Sequence, residues 1–153
     1  MNIPTADQIH ATCVAIDGEG VLLIGPSGSG KSDLALRLIA AGARLVADDR
    51  VDISRAADGR IEARAPDALA GKIEVRGLGI LAMAGPDRAP LALACELAEP
   101  SAIQRLPDRR NFPLLGVSLP LVAIAPFEAS AVTKVQLALG IATGSIMRVD
   151  EPE

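Results

Sequence analysis

The chain has 153 residues and a formal net charge of −4; half of its residues are hydrophobic, and only Phe112 and Phe127 are aromatic. That length suits a single domain whose core is aliphatic and large enough to need no disulfide or metal staple. The acidic balance and the scarcity of aromatic rings exclude the basic, base-stacking surfaces that bind single-stranded nucleic acid, and argue equally against an anionic membrane surface.

Residues 12–16 are β-prone and apolar, and Asp17-Gly18-Glu19-Gly20 reads as a tight turn. Residues 21–24 form a short continuous apolar run, the pattern of a strand buried on both faces. A glycine-rich loop follows, then a Leu- and Ala-rich helix over 32–41, with Gly42 as its cap. A second buried strand is expected over 45–47, ending in Asp48-Asp49. Residues 51–54 and 60–64 flank Ala57-Asp58-Gly59 as a hairpin on the solvent side. Residues 66–71 read as a loop, and 73–75 as a short strand running into Arg76-Gly77-Leu78-Gly79. A strand is predicted over 91–97, an exposed, mobile connection over 101–111, a buried strand over 121–125, and a closing helix over 130–139 ended by Gly140. Residues 150–153 form an acidic tail. The expectation is one α/β domain over 1–149 with a mixed β-sheet.

Cys13 and Cys95 stand far apart in apolar runs, the pattern of reduced, buried thiols. The N-terminus lacks the basic-then-apolar pattern of a signal peptide, and no apolar run is long enough to span a membrane. A cytoplasmic protein is expected.

Gly25-Pro26-Ser27-Gly28-Ser29-Gly30-Lys31-Ser32 fits GxxxxGK[ST] in full and lies between a predicted strand and a predicted helix. In that context successive backbone N–H groups and the helix N-terminus surround a phosphate. Lys31 supplies a cation for the β- and γ-phosphates, and the Ser32 hydroxyl a ligand for Mg²⁺. Asp48, at the end of a buried strand, is assigned to the metal side, and Asp49 to the general base that takes a proton from an attacking hydroxyl. Strand side chains alternate between faces, so both acids serve one site only if the chain turns there; otherwise they are two solvated acids. Glu74 and Arg76, two apart, share a strand face, either at a phosphate site or as an ion pair. His10, the one histidine, reads from local physics as a surface or capping residue.

Together these segments resemble the catalytic domain of the HPr kinase/phosphorylase family. The resemblance is carried by His10, the loop from Gly25 to Ser32, Arg44-Leu45-Val46-Ala47-Asp48-Asp49, and above all Gly71-Lys72-Ile73-Glu74-Val75-Arg76-Gly77-Leu78-Gly79-Ile80. It extends from about His10 to Leu139 and weakens after Gly85. It implies a P-loop on a compact α/β core similar to phosphoenolpyruvate carboxykinases, and ATP- and Mg²⁺-dependent phosphorylation of a serine on an HPr-type phosphocarrier protein of a phosphotransferase system. Many members of the family also remove that phosphate with inorganic phosphate, releasing pyrophosphate. By the same resemblance His10 and Lys31 are active-site residues, Ser32 and Glu74 ligate Mg²⁺, and Asp49 is the base for phosphorylation and the acid for its reversal. Arg105 is the best match to a further active-site arginine, with Arg109 and Arg110 as competitors.

Three departures from the family pattern are visible. His10 lies almost at the start, so the family's usual N-terminal domain has no counterpart, as in a shortened form found in some proteobacteria. Where the family carries a basic loop tied to dephosphorylation, this chain reads Ala125-Pro126-Phe127-Glu128-Ala129-Ser130, whose Glu128 should weaken the reverse reaction. The C-terminal helical part is short, which bears on any homo-oligomer of the family's hexameric kind and on carrier docking. A small-molecule kinase and a nucleotide sensor without transfer activity are the competing readings.

Overall fold

A computed structural model describes residues 5–151. Eleven strands and two α-helices follow in chain order: β1 (Ala6–Ile9), β2 (Thr12–Ile16), β3 (Glu19–Ile24), α1 (Lys31–Ala40), β4 (Arg44–Ala47), β5 (Val51–Arg55), β6 (Ile61–Arg64), β7 (Lys72–Val75), β8 (Gly79–Ala82), β9 (Ala89–Leu97), β10 (Arg110–Leu114), β11 (Val117–Ile124) and α2 (Ala131–Thr143). Nine strands form one mixed sheet, ordered β1-β5-β6-β9-β3-β2-β4, with β11 also on β9 and β10 on β11; β7 and β8 form a separate hairpin. The compact α/β fold with a mixed sheet is as expected.

β3 is the sheet's centre. Val21 and Leu23 enter the cluster covered by the helices, with Leu34, Leu38, Val135 and Leu139. Leu22 points the other way, into the cluster with Val51, Ile53, Ile61 and Leu121. Burial on both faces is why the run is apolar throughout. On the second face the sheet curls, since β9 pairs antiparallel with β6 through Ala89 and Pro90 and then parallel with β3 from Leu91 onward. This brings β6 against β4.

Strand direction decides where function can sit. β3, β9 and β11 are mutually parallel. β2 is antiparallel to β3, and β4 antiparallel to β2, so β4 runs with β3. The ends of β3, β4, β9 and β11 and the start of β2 therefore meet at one edge. In open α/β sheets that is the edge at which ligands bind.

Several boundaries differ from expectation. The β2–β3 turn is only Asp17-Gly18, both at positive φ, so Glu19 and Gly20 belong to β3. The 51–64 hairpin has one buried face, with Val51, Ile53, Ile61 and Ala63 in the core. β1, β8 and β10 have too little apolar periodicity to be read as strands; they are specified by their partners. β10 takes the end of the 101–111 segment, which is otherwise exposed apart from half-buried Ile103. Arg76 stands in the turn after β7, not on the strand, so it shares no strand face with Glu74.

Helix α1 ends as expected. Gly42 at φ +112 follows the Ala41 cap, with Ala43 N–H on Leu38 O and Gly42 N–H on Ile39 O. Helix α2 does not end at Gly140, which is buried inside it; Gly144 at φ +88 ends it instead. A Cβ at Gly140 would lie 2.6 Å from Ile146 Cδ1, so this glycine admits the returning chain rather than stopping the helix. The described part of the tail is tied down: Arg109 Nε and Nη2 each donate to the Glu151 carboxylate at 2.8 Å, and Arg148 pairs with Asp150 at 2.7 Å. Residues 152–153 of the expected tail lie outside the described residues.

Candidate active site

The loop between β3 and α1 carries the glycine motif, and α1 opens at Lys31 behind a left-handed Gly30. The Lys31 side chain is folded back over the loop, its Nζ donating to Gly25 O at 2.7 Å and Pro26 O at 3.0 Å. Two main-chain carbonyls are a weak substitute for an anion, so this cation is held where a phosphate would capture it. Ser29 Oγ is buried and has no hydrogen-bond partner among the described residues. It occupies the space a side chain at Gly25 would fill, 2.7 Å from that Cβ position. A buried hydroxyl left unpaired costs about 1–3 kcal/mol.

Asp48, 9% exposed, follows β4 and accepts two hydrogen bonds on Oδ1. Ser32 Oγ donates at 2.8 Å and Thr12 Oγ1, fully buried, at 3.0 Å. Both hydroxyls use the same oxygen, which leaves Oδ2 clear of them. With its proton committed to Asp48, the Ser32 oxygen presents lone pairs to a cation. These hard oxygen donors fit Mg²⁺, which takes few protein ligands and fills its shell with phosphates and water. Among the described residues no three His, Cys, Asp or Glu side chains converge on one point. Glu74 lies exposed on β7, in the hairpin that packs on α1, and makes no hydrogen bond to Ser32 or Asp48.

Asp49 is the hinge of the arrangement. Its φ is +69, and Arg50 N–H donates to Asp48 O at 2.8 Å, a three-residue turn centred on Asp49. The chain does turn between the two acids, as both need if they are to serve one site. Asp49 Oδ1 accepts from His10 Nε2 at 2.7 Å, the carboxylate offering only acceptors. Both side chains are half exposed or more, so the pair returns at most about 1 kcal/mol of stability. A non-glycine residue at positive φ costs on the order of 1–3 kcal/mol. That cost is at least as large as what the exposed ion pair returns. His10 is a surface residue, as local physics suggested, and its ring is paired with Asp49.

The arginines are separated by their partners. Arg109 is bound to Glu151, and Arg110 donates to Glu96 at 2.8 Å. Arg105 is exposed and makes no ion pair among the described residues. A cleft of about 430 Å³ lined by Ile16, Leu38 and Thr143 lies at the far end of α1 from Lys31 and shares no residue with this site.

Residues 2–86 match the family model described as the HPr Serine kinase C-terminal domain. The chain belongs to that family. HPr kinase/phosphorylase of Azoarcus sp. (strain BH72) is 41% identical over 129 residues, covering 76% of this chain and 41% of the relative. That of Bordetella pertussis is 52% identical over 73 residues, 48% of this chain and 24% of the relative. The chain thus spans well under half the length of these curated relatives. The solved structure of the Hpr(Ser) kinase/phosphatase from Coxiella burnetii superposes with a TM-score of 0.75 at 26% identity, over 91% of this chain and 96% of that one. The HPr kinase family model ends at residue 86, beside the position where the motif resemblance weakens, whereas the likeness in fold continues across nearly the whole chain.

Two contributors escaped the sequence reading. Thr12 looks like one more β-branched strand residue, and only the β2–β4 pairing sets its hydroxyl on Asp48. Arg37, in the last turn of α1, pairs with Asp33 at 3.0 Å and donates to Pro126 O, tying the 125–130 loop to that helix. The Glu128 in that loop is paired with Lys134 at 3.1 Å.

Proposed function

We propose that the chain is a Mg²⁺- and ATP-dependent protein-serine kinase acting on an HPr-type phosphocarrier protein in the cytoplasm, its catalytic domain spanning residues 1–149 on a nucleotide-binding core like that of phosphoenolpyruvate carboxykinases. The observation that supports this reading is the Asp49 turn at φ +69, with the Asp49 carboxylate bonded to His10 and the preceding Asp48 bonded to Ser32 of the glycine motif. The family membership and the named relatives support it.

In this reading the N–H groups of residues 25–32 and the N-terminus of α1 hold the phosphates. Lys31 leaves its two carbonyls for the β- and γ-phosphates. Ser32 and Asp48, with Glu74, would hold Mg²⁺, which when bound neutralises phosphate charge. Asp49 accepts the proton of the serine hydroxyl as the new O–P bond forms and the bond from the γ-phosphorus to the β-bridging oxygen breaks, releasing ADP. His10 holds the Asp49 carboxylate in line for that proton, and Arg105 reaches the developing charge from its exposed segment. Phosphate-dependent reversal is the weaker arm, because the 125–130 loop carries Phe127 and Glu128 in place of free positive charge.

The test is transfer from labelled ATP to a purified HPr-type protein, with the labelled residue mapped. Phosphoserine is expected, and Asp49→Asn should keep nucleotide binding while lowering transfer by at least about a hundredfold, the low end for loss of a general base. Near-normal transfer by that variant would overturn the base assignment. ATP turnover with no labelled carrier would move the reading to a small-molecule kinase, and tight ATP binding without turnover to a sensor.

A further inference from the structure

We propose that Phe127 is the platform on which the base of the bound nucleotide stacks, so that the site selects a nucleotide over a bare phosphate chain. The proposal rests on the nucleotide-binding reading above. Of the two aromatic residues, Phe112 packs against the core, while Phe127 is 73% exposed. Phe127 is nevertheless held in place. A Cβ at Gly30 would lie 2.9 Å from Phe127 Cζ, so the ring's edge rests on the last glycine of the loop. Arg37 binds the neighbouring Pro126 carbonyl, and Glu128 beyond it is neutralised by Lys134. The result is an exposed ring fixed at the loop by its edge.

Strand order supplies the direction. Along the sheet the sequence is β4, β2, β3, β9, β11. Asp48, Asp49 and His10 come from the end of β4 and the start of β2, on one side of the β3 loop. Phe127 comes from the end of β11, on the other side. A nucleotide lying across the loop with its reacting phosphate towards Asp49 has its base towards Phe127. Every base has a π-face, and stacking on an aromatic side chain is sequence-tolerant and strong enough to matter.

The experiment measures binding of ATP and of inorganic tripolyphosphate to the chain and to Phe127→Ala and Phe127→Leu. Leucine keeps bulk against Gly30 but has no π-face. Both variants should bind ATP about tenfold more weakly and tripolyphosphate with less than about a twofold change. The chain has no Trp, so Phe127→Trp provides a single emitter that ATP should quench and tripolyphosphate should not. Equal losses for both ligands, or full recovery in Phe127→Leu, would make the ring a spacer for the loop and overturn the proposal. So would unchanged ATP binding accompanied by a raised KM for the carrier, which would make Phe127 a protein contact. If neither ligand binds the unaltered chain, the nucleotide reading itself falls, and this proposal with it.

Discussion

Asp49 shows how little a residue's type says about its role until its backbone is known. An acid after a buried strand is commonplace; one at φ +69 with a histidine 2.7 Å away is not. Thr12 makes the same point from the other direction. Its hydroxyl is fully buried and its partner, Asp48, also receives Ser32. Thr12→Val keeps the shape and removes the donor, and a hydrogen bond to a charged group is worth about 1.5–3 kcal/mol. We expect a stability loss of about that size in denaturant unfolding. As a positioning residue, Thr12 should also raise the Mg²⁺ concentration needed for transfer several-fold, with kcat at saturating Mg²⁺ little changed. Thr12→Ser, which retains the hydroxyl, should recover most of both. Loss of stability with an unaltered Mg²⁺ requirement would make Thr12 merely structural.

At the scale of elements, the chain's crossings are as informative as its strands. The segment between β8 and β9 passes directly over β4, and a Cβ at Gly85 would stand 1.9 Å from Leu45 O. That obstacle is main chain on a strand paired to β2, so it cannot swing aside as a side chain could. Gly85→Ala should therefore cost about 1–3 kcal/mol, the range for overpacking, and should displace β4 and with it Asp48 and Asp49. Thermal unfolding together with the transfer assay would check this; an unshifted midpoint would contradict it. Gly140 is the opposite case. Its helix continues because Val135, Ala138 and Leu139 bury the same face, which outweighs the roughly 1 kcal/mol that glycine costs a helix. What it would meet is the end of a flexible isoleucine, so no comparable penalty is expected there.

For the whole molecule, the sheet divides the interior in two. Cys13 lies in the cluster on one face and Cys95 in the cluster on the other, with β3 between their strands. They cannot meet, and both thiols are free. Burial pushes each thiol up to about 12 from 9.0. The folded state thus keeps its thiol protons after the unfolded chain has lost them. The stability this confers is complete below pH 9 and is lost as pH rises from there towards 12, at about 1.4 kcal/mol per pH unit for each thiol. Denaturant unfolding between pH 8 and 10.5 should show that fall, and the double variant Cys13→Ala, Cys95→Ala should flatten it. An identical slope in the double variant would overturn the assignment.

Local pattern was enough wherever a segment's own chemistry forces its shape. The run 21–24 is apolar on both faces, Gly42 frees the end of α1, and GxxxxGK[ST] between strand and helix has one way to fold, so these were legible along with the α/β class. The same holds for His10, Asp48 and Asp49 as candidates, once the motif spacing was taken with the family resemblance. Edges and neighbours were not legible. β1 exists through its distant partner β5, β8 and β10 through the hairpin strands β7 and β11, Gly140 through Ile146, and Arg109 and Arg110 are engaged by Glu151 and Glu96. Hydrogen bonding across strands and side-chain packing depend on what the fold brings alongside, and only the tertiary structure sets Thr12 on Asp48, turns Asp49 towards His10 and rests Phe127 on Gly30.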